Sequence, residues 1–398
     1  MEPPEFSGDR RGGSETMRGS LVSVVVLLRH GDRAPYWSFP NDQYFDSSYW
    51  PMGHGQMTDK GKERMYQMGK WLRSRYSAFL PSEYSPSDIY VRATDVDRCL
   101  VSAATILAGL YPPQASTKTW NLKQAWQPIP IHTKPFFEDE VLGMKTECPK
   151  YDELFEELKD TEYYRNVSGA FKGFFQTVST HTGWERVDLA EIKILHTVFE
   201  IYKSFNKCFL PSWYATLHEK TLTYLAGLAH AKFTHTTEMK RLVTGPFWAT
   251  LFSYFDLVQD STDIPKFMLF VSHDTTLVAL LNSMDVFDDE PPAFGAALLW
   301  ELRRTSEGAY YIEVGYKRTD GAEVETLVVP GCLEVCPYAH FKRILQEVTV
   351  DSDTWRKECE ASRGNLGVFG FVRGVYRRFA DFWWSKKADN KQKPFFTT

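Results

Sequence analysis

A chain of 398 residues, of which 43% are hydrophobic and 15% aromatic, carries enough apolar material for a large folded core. Its 46 basic and 51 acidic side chains give a formal net charge of -5, which excludes the overall positive field that draws proteins to nucleic acid or to an anionic membrane. Any anion-binding site must therefore be a local cluster.

The chain begins polar and turns apolar after residue 20. Residues 1–20 are rich in glycine, proline and charge, which is typical of a disordered tail. The apolar run at 21–28 is much shorter than the roughly 20 residues that span a bilayer, and no small-residue cleavage site follows it. We therefore predict no transmembrane segment and no signal peptide, and interpret 21–28 as a central strand of a parallel sheet.

Three segments repeat one pattern, in which an apolar strand is followed by a charged turn and then a helix. After the first strand, Thr58 is a predicted N-cap and the spacing of Met65, Met68 and Leu72 predicts a helix over 57–76. Such units build parallel sheets, whose ligands bind at the carboxyl ends of the strands.

The other two units lie further along the chain. The second has a strand at 89–91, Arg92, and a helix start where Thr94 and Asp97 form a predicted capping box. The third has a strand at 267–271, a turn at 272–274, and a helix from about residue 275.

This order predicts an α/β fold, with a twisted, mostly parallel sheet flanked by helices. We expect one domain over 21–360, with a sheet core from 21–127 and 247–350 and a helical cap inserted at 128–246. Two further runs, "ALLWELRR" and "AYYIEVGYKR", predict a hairpin that extends one edge of the sheet. The basic, aromatic tail at 361–398 either touches membrane headgroups or docks on the domain, and we favour docking or partial disorder.

Cations gather where the first strand ends, because Arg29, His30 and Arg33 fall within five positions. Guanidinium groups suit bidentate binding of phosphate, and Arg92 at the end of the second strand adds a third cation. Converging arginines repel one another unless a multiply charged anion lies between them. The pattern therefore favours a phosphate site.

Residues of the first and third turns fit phosphoryl transfer. A neutral His30 imidazole is a candidate nucleophile, His273 a candidate donor to the phosphoryl oxygens, and Asp274 a candidate acid for the leaving oxygen. The chain has no P-loop motif, no G-x-S-x-G, and no cysteine followed six positions later by arginine. His230 and His235 lack carboxylates at metal-site spacing, so we predict no metal and no cofactor.

Several motifs resemble one known family. "LLRHGDRAP" at 27–35 and "SHDTT" at 272–276 resemble the two signatures of the histidine acid phosphatases. Similarity to the lysosomal and prostatic group within that family extends to "VRATDVDR" at 91–98, "WQPIPIHT" at 126–133, "LPSW" at 210–213 and "VVPGCLEVCP" at 328–337. The resemblance runs in order over about 21–359.

The resemblance implies a metal-independent acid phosphatase with an α/β sheet and a helical cap. It assigns His30 as the phosphorylated nucleophile and Asp274 as the proton donor, and assigns phosphate binding to the remaining matched residues: Arg29, Arg33, Arg92 and His273. It also implies a small-molecule or phosphoprotein phosphomonoester as substrate, a homodimer, and a disulfide-bonded glycoprotein in the lysosome or outside the cell. Two alternatives stay open: a phytase or other inositol polyphosphate phosphatase, and a non-catalytic anion-binding protein.

The sequence also allows predictions about disulfide pairing of the six cysteines. By spacing alone, Cys332 and Cys336 fit a short disulfide-clipped loop. The resemblance supports that pair and adds one between Cys148 and Cys359. The strand that carries the partner of Cys208 in relatives has no cysteine here, so we predict that Cys208 and Cys99 are thiols.

Overall fold

The structure, a computed structural model, describes residues 19–113, 126–144, 146–158, 161–261 and 263–360. In this part of the chain seven strands form one sheet: β1 (Ser20–Arg29), β2 (Ile89–Ala93), β3 (Phe267–Ser272), β4 (Ala297–Arg304), β5 (Tyr310–Lys317), β6 (Val324–Thr326) and β7 (Cys336–Pro337). The order is β2-β3-β1-β4-β5-β6, and β7 pairs with β5. Strands β1, β2 and β3 are parallel to one another, and the remaining pairings are antiparallel.

Helices cover both faces of this sheet and form a separate group beside it. They are α1 (Asp59–Arg75), α2 (Asp97–Leu110), α3 (Pro149–Glu157), α4 (Glu162–Ala170), α5 (Lys172–Thr182), α6 (Leu189–Phe205), α7 (Glu219–Ala231), α8 (Thr237–Asp260), α9 (Asp274–Ser283), α10 (Tyr338–Ile344) and α11 (Ser352–Glu360). The α/β fold expected from the sequence is confirmed, and β4 and β5 form the expected hairpin.

Strand β1 is the centre of the packing because both of its faces are buried. Val24 and Val26 pack in the same apolar cluster as the buried faces of α1 and α2. Val25 and Leu27 point the other way, into a cluster with α8 and α9. The alternation of strand side chains explains why this run is apolar at nearly every position.

The helices α4 to α7, which lie in the range predicted for the cap, share an apolar core. Residues of α4, α5, α6 and α7 form a cluster that also includes Phe39 and Trp50 from the loop after β1 and Phe294 from the loop before β4. Helix α8 starts at Thr237, inside the range predicted for the cap, and its Phe247 packs against the sheet. Helices α4 to α7 therefore adjoin the loops at the carboxyl ends of the strands.

The structure confirms one predicted helix cap and corrects another. The Thr58 side chain accepts a hydrogen bond from the Gly61 amide at the start of α1, as expected. Helix α2 starts after Val96, which makes no side-chain cap. The Thr94 hydroxyl instead bonds the Ser272 hydroxyl at 2.9 Å, because the parallel register places these two residues side by side.

The cysteines pair as expected. Disulfides join Cys148 to Cys359 and Cys332 to Cys336, and both Cys99, which is buried, and Cys208, which is exposed, are thiols. Within the described ranges no helix is both long and apolar enough to cross a membrane. The tails predicted at 1–20 and 361–398 lie outside the described residues, apart from the last two positions of the first.

Candidate active site

Strand register sets the positions of the three charged turns. Arg29 pairs with Ser272 across β1 and β3, and Ala93 pairs with Val271 across β2 and β3. The three parallel strands therefore end at one level. His30 and His273 each follow directly, and their rings meet edge to face with centroids 5.5 Å apart.

His30 is buried, and its hydrogen bonds define one tautomer. One ring nitrogen, Nδ1, lies 2.9 Å from the Gly31 carbonyl oxygen, which can only accept a proton. The other, Nε2, accepts a hydrogen bond from Arg98 Nε at 3.0 Å. The imidazole is thus neutral, with its proton on Nδ1 and its lone pair on Nε2 directed towards the arginines.

Arg98, which the sequence analysis did not select, occupies the place expected for Arg92. It contacts His30 and also lies 3.5 Å from His273 Nδ1. Arg92 instead donates to the buried Asp139 carboxylate at 2.5 Å. In β2, Arg92 pairs with Phe270, two residues before the level of Arg29, or about 7 Å lower along the strand.

Arg29 joins the first and third turns. Its guanidinium forms an ion pair with Asp274 at 2.8 Å and donates to the Pro292 carbonyl oxygen at 2.5 Å. The Phe294 ring lies 4.0 Å from the guanidinium carbon and packs on one of its faces. These contacts fix the guanidinium beside His30, and neither Pro292 nor Phe294 was predicted from the sequence.

The site holds more positive than negative charge. Arg33 donates to the Ala34 carbonyl oxygen, and burial together with Arg98 and Arg29 lowers its pKa to about 9. The Nε groups of Arg29 and Arg33 are buried without a hydrogen-bond partner among the described residues. Buried N–H donors and converging positive charge favour a bound anion.

Burial and charge also shift the pKa of the two central groups. Burial is the main reason that the pKa of His30 lies well below the usual 6.5, and the charge of Arg98 lowers it further. Burial alone would raise the pKa of Asp274, but the charge of Arg29, with smaller contributions from His230 and Lys193, holds it well below 3.8. Without a substrate, the site therefore has a neutral His30 and an ionised Asp274.

His230 of α7 and Lys193 of α6 lie close enough to Asp274 to affect its pKa. His230, near the end of α7, is buried, and its Nδ1 has no hydrogen-bond partner among the described residues. Asn282 of α9 donates to the Thr234 carbonyl oxygen at 2.9 Å, which ties the end of α7 to the helix that begins with Asp274. From the sequence, His230 was considered only as a metal ligand and Lys193 was not selected, because only the folded chain brings the two residues near Asp274.

Comparison with known proteins identifies the family of the chain. The family model of the histidine phosphatase superfamily (branch 2) matches residues 20–317. The chain is 34% identical to the prostatic acid phosphatase of Mus musculus over 87% of this chain and 91% of the relative. It is likewise 34% identical to the lysosomal acid phosphatase of Homo sapiens, over 88% of this chain and 82% of the relative.

Solved structures show the same fold at lower sequence identity. The phytase of Citrobacter braakii aligns with a TM-score of 0.61 at 16% identity, covering 85% of this chain and 99% of the phytase. The apo phytase of Hafnia alvei aligns with a TM-score of 0.63 at 17% identity, covering 85% and 98%.

Proposed function

The chain belongs to the histidine phosphatase superfamily (branch 2) and is a phosphomonoester hydrolase of the acid phosphatase type, and on this premise we propose that its reaction passes through a phosphohistidine on His30. One observation carries the proposal. The Nε2 lone pair of a neutral, buried His30 lies among arginine side chains, which is where a nucleophile for a bound phosphoryl group is needed.

In the first step, Arg98 turns its donor from His30 Nε2 to the phosphoryl oxygens, and the freed Nε2 lone pair attacks phosphorus while the bond from phosphorus to the ester oxygen breaks. The proton stays on Nδ1 and is donated in a hydrogen bond to the Gly31 carbonyl oxygen, which stabilises the positive charge that develops on the ring. Arg29, Arg33 and Arg98 hold the phosphoryl oxygens, and His273 adds a further donor. Arg98 thus takes the role that the sequence analysis gave to Arg92.

Asp274 donates the proton that the leaving oxygen takes up. Its ion pair with Arg29 keeps it ionised in the free site, so the acid must form when substrate binds. A phosphate between the arginines competes for the Arg29 guanidinium, which weakens that ion pair and raises the pKa of Asp274. In the second step the Asp274 carboxylate takes a proton from water, whose oxygen attacks phosphorus and breaks the bond to Nε2.

The neutral His30 suits acid conditions. A histidine with a pKa well below 6.5 stays unprotonated, and so nucleophilic, at pH values where an ordinary histidine is charged. Two disulfides are typical of an oxidising compartment, and sequence relatives are named lysosomal and prostatic acid phosphatases. We therefore propose a lysosomal or extracellular location.

Hydrolysis of p-nitrophenyl phosphate by the purified protein at about pH 5 tests the function. We expect turnover that inorganic phosphate inhibits competitively. A folded protein that binds phosphate but releases no p-nitrophenol would instead support the non-catalytic anion-binding alternative. A phytase is supported by fold alone, at 16% to 17% identity, and would be favoured by a much larger kcat/KM on inositol hexakisphosphate.

A further inference from the structure

Two pairs of aromatic side chains border the cation cluster. Tyr36 and Trp37 come from the loop after β1, and their rings meet edge to face at 4.4 Å. Phe136 and Phe137 come from the segment between α2 and α3, and their rings meet in the same way at 5.2 Å. In each pair the first ring is half-buried and the second is exposed.

The half-buried ring of each pair lies next to the proposed phosphate site. Tyr36 is close enough to Arg98 and Arg33 for both charges to act on its hydroxyl, although burial raises its pKa overall. The Phe136 ring lies 6.2 Å from the His273 ring. Both pairs therefore adjoin the contacts of Arg98, from two separate segments of the chain.

Packing and hydrogen bonds hold both segments in place. The Tyr36 ring packs on Gly55, where a Cβ would come within 2.8 Å of it. The carboxylate of Asp139, two residues after Phe137, receives Arg92 and the amide of Leu142. The pairing of Arg92, which keeps it away from His30, thus fixes the Phe136–Phe137 segment.

The outer ring of each pair exposes apolar surface to solvent. Trp37 is 43% exposed and Phe137 is 61% exposed. A leaving group that extends from the arginines past Tyr36 or Phe136 would reach the exposed ring beside it. Covering that ring with an aromatic group buries apolar area and allows stacking or edge-to-face contact.

We propose that Tyr36, Trp37, Phe136 and Phe137 form an aromatic rim that binds the leaving group, so that the preferred substrates are phosphate monoesters of aromatic alcohols. The proposal rests on the proposed phosphatase function. It assigns Trp37 and Phe137 to specificity, since neither belongs to the cation cluster that is proposed to hold the phosphoryl group.

Benzyl phosphate and ethyl phosphate provide the test, because both release an alcohol of similar acidity and differ mainly in the ring. We expect the wild-type protein to favour benzyl phosphate in kcat/KM by about tenfold or more. Trp37→Ala and Phe137→Ala should each reduce kcat/KM for benzyl phosphate by about twofold to tenfold, and leave that for ethyl phosphate unchanged. Leu333→Ala, which removes a side chain 80% exposed in the disulfide-clipped loop, is the control and should change neither.

Two results would overturn the rim: a wild-type protein that hydrolyses both esters equally well, or a Trp37→Ala/Phe137→Ala double variant that keeps the full preference. Either outcome would leave the phosphatase function intact. A folded wild-type protein that hydrolyses neither ester would contradict the proposed function itself.

Discussion

Two clusters of buried charge lie along β1, and they differ in balance. The site cluster at the carboxyl end contains Arg29, Arg33, Arg98, His30 and Asp274. The Glu301 cluster, towards the amino end, contains Glu301, Glu313, Arg75, Arg303 and Tyr76. Glu301 pairs with Val24 in the sheet, which is five residues, or about 16 Å, from Arg29.

In the Glu301 cluster the charges cancel. Arg75 and the Tyr76 hydroxyl each donate to one Glu301 oxygen at 2.8 Å, and Arg303 donates to the other at 2.7 Å. Arg303 also donates to Glu313 at 3.0 Å. Two carboxylates and two guanidinium groups satisfy one another, so this cluster needs no ligand.

In the site cluster three arginines face one carboxylate, and two guanidinium Nε groups are buried without a partner among the described residues. An unbalanced buried cluster costs stability in the absence of an anion. Buried charge alone therefore does not indicate a ligand-binding site. An excess of buried charge of one sign, with N–H donors that lack a hydrogen-bond partner, does indicate one. The following variants test that distinction.

The largest effect is expected from His30→Ala. Removing the nucleophile should lower kcat by about 10⁴-fold or more, because the remaining groups only bind and polarise the ester. Thermal unfolding and inhibition by inorganic phosphate should confirm that the variant is folded and binds phosphate. Near wild-type kcat in such a folded variant would rule out His30 as the nucleophile.

Asp274→Asn should lose more activity on substrates whose leaving group is more basic, because such a group must be protonated as it departs. We expect a loss of about 10²- to 10⁴-fold on an alkyl phosphate and a clearly smaller loss on p-nitrophenyl phosphate. If the substitution acted only by displacing Arg29, it would weaken the binding of both substrates alike. If the dependence of the phosphorylation rate on leaving-group pKa matched the wild type, Asp274 would not be the acid.

Arg98→Ala and Arg92→Ala form a matched pair from one motif. Arg98→Ala should reduce kcat/KM by about 10²- to 10³-fold, because it removes a donor that contacts His30. Arg92→Ala should cost less activity per folded molecule but destabilise the protein by about 3 to 5 kcal/mol in urea unfolding, since it leaves Asp139 buried without its cation.

If Arg92→Ala does not fold, Arg92→Lys replaces it in the comparison, because lysine retains a cation near Asp139. A greater loss of kcat/KM from the Arg92 variants than from Arg98→Ala would reverse the assignment of the two arginines.

Glu301→Gln should leave kcat/KM unchanged and cost about 1 to 3 kcal/mol of stability near neutral pH. Burial would raise the pKa of Glu301, but Arg75, Arg303 and Tyr76 lower it below 4.5. Because its pKa is lower in the folded state, ionised Glu301 stabilises the fold at pH values above the ordinary pKa of a glutamate. This contribution disappears as the pH falls through the lowered pKa. The difference from wild type in urea midpoint should therefore shrink at low pH, and a constant difference would contradict the ion-pair explanation.

The sequence predicted the elements whose patterns are local. The apolar run at β1, the spacing of Met65 and Leu72 in α1, and the charged turns after β1 and β3 all depend on neighbours in the chain. The convergence of Arg29, His30 and Asp274 followed from the rule that parallel strands end at one edge.

The third arginine could not be placed in this way. Both Arg92 and Arg98 lie in "VRATDVDR", and the choice depends on where β2 ends relative to β3. A shift of two residues in a strand moves a side chain by about 7 Å, beyond hydrogen-bond reach. The start of α2 at Asp97, which puts Arg98 in its first turn, was the available signal.

The effects of α7 and of the loop before β4 on the site also could not be predicted from the sequence. The Pro292 carbonyl and the Phe294 ring contact Arg29, and His230 lowers the pKa of Asp274, across segments far apart in the sequence. Such contacts have no periodic pattern, so they become visible only in the fold.

Trapping of the phosphoenzyme shows directly which residue carries the phosphoryl group. The protein is mixed with a labelled phosphomonoester at about pH 5, where a histidine with the ordinary pKa of 6.5 is mostly protonated, and is denatured within milliseconds in alkali. We predict label on a single peptide, at His30, in wild type and none in His30→Ala. Label on any other residue, or turnover without label on His30, would contradict a phosphohistidine intermediate on His30.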